Sequence, residues 1–103
     1  MVTNPITTTV VLVVYNQLAL TRAFLESLLP AVRPFELCVV DNASSDGTEG
    51  FFREWAGSAP LRYHRNAENV GLIRALNQGV RLAGGDRLCF LHNDTVTRRT
   101  LAA

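Results

Sequence analysis

Two kinds of hydrophobic pattern alternate along the chain. Thr8 to Val14 is an unbroken run of β-branched and apolar residues, and Glu36 to Val40, Leu61 to His64 and Arg87 to Leu91 are further short runs of strand character. Continuous apolar strands are buried on both faces, which predicts a parallel sheet rather than a half-solvated antiparallel one. Between them, apolar residues recur at helical spacing. Gln17 to Leu29 carries Leu20, Phe24 and Leu28 at i, i+4 and i+8, widened by Leu25 and Leu29, with Arg22 and Glu26 opposite; Pro30 and Pro34 end it. Asp46-Gly-Thr-Glu49 has capping-box spacing, with Asp46 as the expected N-cap of a helix running to about Trp55. A third helix opens at Asn69 or Gly71, with Leu72, Ala75, Leu76, Val80 and Ala83 on its expected inner face and Gly84-Gly85 after it. Thr97 to Ala103 has the pattern of a further helix start.

The order β-α-β-α-β-α-β predicts an α/β, Rossmann-like three-layer sandwich. Its four strands would be parallel in the order 3-2-1-4, joined by right-handed crossovers, with helices on both faces. In such a sheet the strands carrying Cys38 and Cys89 flank the first strand, about 10 Å apart. A disulfide needs Cα atoms within about 7 Å, so no intramolecular bridge is expected.

Composition narrows the function. The 103 residues suit one domain. A formal charge of +1 without a basic run excludes a nucleic-acid-binding surface of the usual kind. The longest early apolar run, Val10 to Val14, is far short of the roughly 20 residues that cross a bilayer. With no signal-like N-terminus and two cysteines outside any framework, the expectation is a cytoplasmic chain, peripheral at most to the inner face of the membrane.

In a doubly wound sheet, ligands bind at the carboxyl ends of the strands, where the strand order reverses. Three segments are expected there: Tyr15-Asn16, Asp41-Asn42 and His92-Asn93-Asp94. They bring an aromatic face, two carboxylates and several amides. An aromatic ring stacks on a base. One carboxylate can accept from a base or ribose. A second can hold Mg²⁺ or Mn²⁺ together with a diphosphate, because these ions take oxygen ligands and leave much of the shell to phosphates and water. Neither the Walker-A loop nor G-x-G-x-x-G is present, which argues against a P-loop hydrolase and a dinucleotide dehydrogenase. An EF-hand reading of the loop after Asp41 fails, since the position for its bidentate acid is Arg53. Asn16 also has the chemistry of a helix N-cap.

Three segments in order carry a resemblance: Val10-Val-Leu-Val-Val-Tyr-Asn16, Val39-Val-Asp-Asn-Ala-Ser-Ser-Asp-Gly-Thr48, and Asn69-Val-Gly-Leu-Ile-Arg-Ala-Leu-Asn-Gln-Gly79 running on to Asp94. Over roughly residues 8 to 101 the chain resembles the N-terminal half of a family 2 glycosyltransferase of GT-A fold. The resemblance implies a single nucleotide-diphospho-sugar-binding subdomain over residues 1–103, lacking the acceptor-binding half. It implies that Tyr15 packs on the donor's base, Asp41 binds that base with Asn42 beside it, and Arg74 and Asn77 flank the nucleotide. Asn93 would lie near the ribose and Asp94 would ligate Mg²⁺ or Mn²⁺. Such enzymes move a sugar from a nucleotide-sugar donor to a saccharide or lipid-linked acceptor with inversion, in cell-surface polysaccharide assembly in bacteria.

Two departures stand out. The family's metal motif often has two carboxylates, whereas His92-Asn93-Asp94-Thr95 has one. The half that would supply the general base is not in this sequence, so no catalytic residue is assigned and the chain alone is expected to be inactive. The alternative reading is a non-catalytic nucleotide-binding or self-associating module, with a homodimer formed through an open sheet edge.

Overall fold

The computed structural model describes residues 8–28, 35–55, 59–84 and 87–92. Four strands and three helices alternate: β1 (Thr8–Val14), α1 (Leu18–Leu28), β2 (Phe35–Asp41), α2 (Thr48–Arg53), β3 (Leu61–Arg65), α3 (Leu72–Leu82) and β4 (Arg87–His92). The sheet order is β3-β2-β1-β4, with every pair parallel. This is the topology expected from the alternation of patterns. The inner strands β1 and β2 are buried almost throughout, whereas the outer strand β3 alternates between half-buried and exposed positions. The continuous runs of β1 and β2 thus belong to inner strands with a helix over each face and the interrupted run of β3 to an edge, while β4, at the other edge, keeps a continuous run with Leu88 and Phe90 exposed.

Side chains of a strand point to alternate faces, so each inner strand feeds two cores. On one face Val10, Leu12 and Val14 meet Leu37 and Val39 beneath Phe24, Leu25 and Leu28 of α1 and Phe52 of α2. On the other, Val13 and Val40 meet Ala75 of α3, with Val70 and Leu76 packed alongside. Each fully buried residue of this kind contributes about 1.5–3 kcal/mol. The two cysteines are free and serve opposite faces. Cys38 lies under α3 with its thiol 3.7 Å from the Gly79 carbonyl oxygen, while Cys89 packs against the α1 and α2 core.

The structure corrects four local expectations. Leu20 is exposed, and Thr21 takes the inner position on α1 instead. Leu72 and Val80 are likewise exposed, while Ala75 and Gly79 face the sheet. The reason is close approach: a Cβ on Gly79 would overlap Cγ1 of Val11 and lie 3.6 Å from Cγ2 of Val40, so small residues let α3 settle directly on β1 and β2. The capping box does not form. Gly47, at φ 103°, occupies the N-cap of α2, and Glu49 pairs with Arg53. Asn16, a cap by its chemistry, gives its side-chain oxygen to the Ser45 N–H of another loop, and the first amide of α1 goes to Asp46 instead.

Candidate functional site

The carboxyl ends of β1, β2 and β3 meet at one rim, and the loops leaving them are laced together. β1 and β2 are adjacent and parallel, so the loops after Val14 and Asp41 emerge side by side. Their contact begins with the backbone, where Asn42 N–H donates to the Val14 carbonyl at 2.8 Å. Ser44 then joins all three strand ends. Its N–H donates to Asp41 Oδ1 at 2.8 Å, its hydroxyl oxygen accepts from Asn16 N–H at 2.7 Å, and its carbonyl accepts from Arg65 Nη2 at 3.0 Å. Asn16 completes the tie by accepting from Ser45 N–H at 2.7 Å.

Asp46 spans from the second loop to two helices. Oδ2 accepts from Leu18 N–H at the start of α1 (3.0 Å), and Oδ1 accepts from the Thr48 N–H and hydroxyl (3.1 and 2.6 Å). Slight burial pushes its carboxyl up, but the bonds from the Thr48 hydroxyl and the Leu18 and Thr48 amides outweigh that and hold its pKa below the ordinary aspartate value. The residue read as the cap of one helix thus satisfies the first amide of another.

The residues expected to bind the nucleotide fall in different surroundings. Tyr15 is at the rim with 49% of its surface exposed, open to a stacking partner. Asp41 is also at the rim, but its exposure is 0%. Besides Ser44 N–H it accepts the Tyr63 hydroxyl at 2.6 Å, so each oxygen already has a donor. Burial, and then this bond to a carboxylate, raise the Tyr63 phenol well above its ordinary pKa. Asn42 is buried as well. Its Oδ1 accepts from Asn66 Nδ2 (3.0 Å) and Val70 N–H (3.3 Å), and its Nδ2 donates to the Gly71 carbonyl (3.4 Å), which ties the end of β2 to the loop before α3. Asn66 is in turn paired with Gln78 in both directions, at 2.8 and 2.9 Å.

Arg74 and Asn77 are both exposed on α3. Arg74 is in the helix's first turn, near the rim. Asn77 lies two residues after buried Ala75, roughly 200° around the helix, and so on the side turned from the sheet. The structure does not bring Asn77 to the rim loops. Asn93 and Asp94 lie outside the described residues. The backbone pairing Val13↔His92 ends β4 beside the end of β1. Among the described residues, no group of three or more His, Cys, Asp and Glu side chains could hold a metal ion.

Ser44, Tyr63, Arg65, Asn66 and Gln78 were not anticipated. Only Tyr63 and Arg65 leave a trace in the sequence, because alternate residues of a strand share a face. One further feature marks this rim. The non-glycine residues with positive φ among the described residues are Asn16 (54°), Gln17 (60°) and Ala43 (72°), all in the two laced loops. Such conformations persist only where the surroundings over-determine them, and they gather at ligand clamps and active sites.

A parallel sheet wound in both directions, with its irregular backbone concentrated at the carboxyl rim, is the nucleotide-binding architecture of open α/β proteins. The chain belongs to glycosyl transferase family 2, whose sequence profile matches residues 9–100. It is 34% identical over 92 residues to abequosyltransferase RfbV of Salmonella typhimurium, an alignment covering 79% of this chain and 27% of that protein. The mannosyltransferase PcManGT of Pyrobaculum calidifontis, solved with GDP-Man and Mn²⁺, superposes with a TM-score of 0.81 at 32% identity, over 92% of this chain and 30% of that one. S. aureus TarS 1–349, solved with UDP-GlcNAc, superposes with a TM-score of 0.82 at 25% identity, over 93% and 29% of the two chains. The fold is that of the GT-A glycosyltransferases, and the chain spans less than a third of the length of each of these relatives.

Proposed function

We propose that this chain is the donor-binding portion of an inverting glycosyltransferase, taking a nucleotide sugar whose sugar passes to a saccharide or lipid-linked acceptor. The observation that carries this reading is the laced rim, where two loops bearing Tyr15 and Asp41 are fixed side by side in costly backbone conformations. The relatives solved with GDP-Man and with UDP-GlcNAc support a nucleoside-diphosphate sugar as the ligand class.

In this reading the exposed Tyr15 ring stacks on the base. Asp41 holds the loop that carries the base and, with a second lone pair on each oxygen, accepts a base N–H after a small shift of the loop about Ala43. Asn42 keeps the start of α3 beside it. Arg74 contributes positive charge near the rim, and Asn77 acts, if at all, from the outer face of α3. Asn93 approaches the ribose. Asp94, with Asn93 beside it, is an oxygen donor set suited to Mg²⁺ or Mn²⁺, provided donor phosphates and water complete the shell. Such an ion would neutralise the departing nucleoside diphosphate. The acceptor hydroxyl needs a general base, which none of these residues supplies, so the chain alone binds donor without transferring sugar. The saccharide product would belong to surface polysaccharide assembly on the cytoplasmic side of a bacterial membrane; no helix among the described residues is long and apolar enough to cross one.

The test is a calorimetric titration of UDP and GDP with and without Mn²⁺, on wild type and Asp94→Ala. Binding that strengthens with Mn²⁺ in wild type and loses that dependence in the variant is expected. An Asp94→Ala protein with the full Mn²⁺ effect would remove the metal role, and absence of nucleotide binding altogether would remove the donor reading.

A second reading, a self-associating module, is favoured by one observation. Leu72, Ile73 and Val80 on α3 and Leu88 and Phe90 on β4 are all exposed. Sedimentation across a hundredfold concentration range decides it, and a constant monomer refutes association.

A further inference from the structure

We propose that Arg65 is a positioning residue for the donor loop, acting through the Ser44 carbonyl; the functional half of this inference rests on the donor-binding reading above. Arg65 ends β3 and pairs in register with Asp41. Its Nη2 donates to the Ser44 carbonyl at 3.0 Å. Nε is buried without a hydrogen-bond partner. The nearest carboxylate oxygen, Glu49 Oε1, is 3.5 Å from Nε, and the other oxygen of that carboxylate is already engaged by Arg53 Nε at 2.9 Å.

A buried N–H with no acceptor is destabilising, and a part-exposed ion pair at that distance offsets little of it. An apolar side chain of similar length would fill the same space without that penalty. What the guanidinium supplies is a donor placed under one carbonyl. Ser44 is the residue on which Asn16, Asp41 and β3 converge. Holding its carbonyl from below fixes the Ser44–Ser45 peptide plane, one residue beyond the left-handed Ala43, and hence the direction of the Ser45 amide. β3 lies two strands from β1, away from the reversal point between β1 and β4. It braces the loop from behind, as Tyr63 does through Asp41.

The experiment pairs Arg65→Met with Arg65→Lys. Amide hydrogen exchange is followed by NMR at Ser44, Ser45 and Leu18, and at Val11 and Val39 in the core, alongside urea unfolding and titration with UDP or GDP in Mn²⁺. Arg65→Met is expected to speed exchange at the three loop amides about tenfold or more while the core amides and the urea midpoint stay close to wild type. The nucleotide Kd is expected to rise roughly tenfold. Arg65→Lys, which keeps a cationic donor but not the fork, should recover part of both effects. Unchanged loop exchange in Arg65→Met overturns the proposal, as does uniform loss of protection in loop and core with no recovery by lysine, since that is a plain stability defect. If wild type binds neither nucleotide but the loop loosens as described, the donor reading fails and the brace stands.

Discussion

Replacing Tyr63 with phenylalanine tests whether Asp41 is held as the structure shows. The substitution removes one oxygen and keeps the ring, which stacks on Phe52 at 5.4 Å between centroids and lies under the Arg53 guanidinium. The lost interaction is a 2.6 Å bond from a phenol to a wholly buried carboxylate. Hydrogen bonds to charged groups contribute about 1.5–3 kcal/mol, and the carboxylate keeps only the Ser44 amide. A loss of about 2 kcal/mol at pH 7 is expected from urea unfolding followed by tryptophan fluorescence. The pH dependence adds a second, independent signature. Burial and Asp41 raise the Tyr63 pKa in the folded state. The stability this provides is present in full below the unfolded phenol value of about 10 and is lost as pH rises above it. The maximum slope is about 1.4 kcal/mol per pH unit, so a 2 kcal/mol gap between wild type and Tyr63→Phe should close near pH 11.5. Other titrations cancel in the difference. Equal stabilities at pH 7, or a gap that stays constant from pH 9 to 11.5, would refute the bond and with it the account of a clamped Asp41.

Asp46→Asn should cost about 0.5–1 kcal/mol at pH 7, since the residue is exposed and screened yet caps α1. Its folded pKa is lowered, so the contribution is present above the unfolded value of about 3.9 and disappears as pH falls; urea midpoints of the two proteins should converge below about pH 3.5. Gly79→Ala gains about 1 kcal/mol of helix propensity but overlaps Val11. A net loss of about 1–2 kcal/mol is expected, smaller when Val11→Ala is already present, and a stabilised single variant would disprove the close approach. Burial raises the pKa of both thiols, with the Glu36 charge adding to the effect at Cys38 and Arg62 opposing it. Both should therefore react slowly with a disulfide reagent at pH 8 until the protein is unfolded, and fast native labelling of Cys38 would contradict its place under α3.

The strands and their order were legible because the signal is one of burial. β1 and β2 have helices on both faces, which demands an apolar residue at nearly every position, and chain order with right-handed crossovers leaves few sheets to choose from. The inner face of α3 was half legible: Ala75 and Leu76 pack where their spacing puts them, but the rest of the face does not follow that rule. Hydrophobicity favours Leu72 and Val80, which are exposed, whereas contact with the sheet selects Gly79 by size. Spacing suggested a cap at Asp46, but the left-handed Gly47 takes the N-cap position, and the carboxylate divides between Thr48 and an amide 28 residues away in the chain. Strand alternation puts Tyr63 and Arg65 on one face, but their bonds to the rim, like those of Ser44, were not legible for the same reason. Their partners lie 21 to 28 residues off, and nothing local distinguishes Ser44 from any turn serine. The rim could be placed from topology; its internal wiring could not.

That wiring bears on where a diphosphate can sit. A helix N-terminus ordinarily attracts phosphate because its first amides lack partners. Here the first amide of α1 is taken by the Asp46 carboxylate, whose charge would repel an anion arriving there. At the approach to α3, Val70 N–H is taken by Asn42 and Gly71 N–H by Asn69. The Ser44 and Ser45 amides of the intervening loop are also spent within the protein. The surface over β1 and β2 thus suits a flat, uncharged group against Tyr15, the part a base and ribose would play. In the proposed reading, a nucleotide lying across the reversal point would direct its phosphates toward the end of β4, which Asp94 follows in sequence. In this reading, a divalent ion held by that carboxylate would neutralise them.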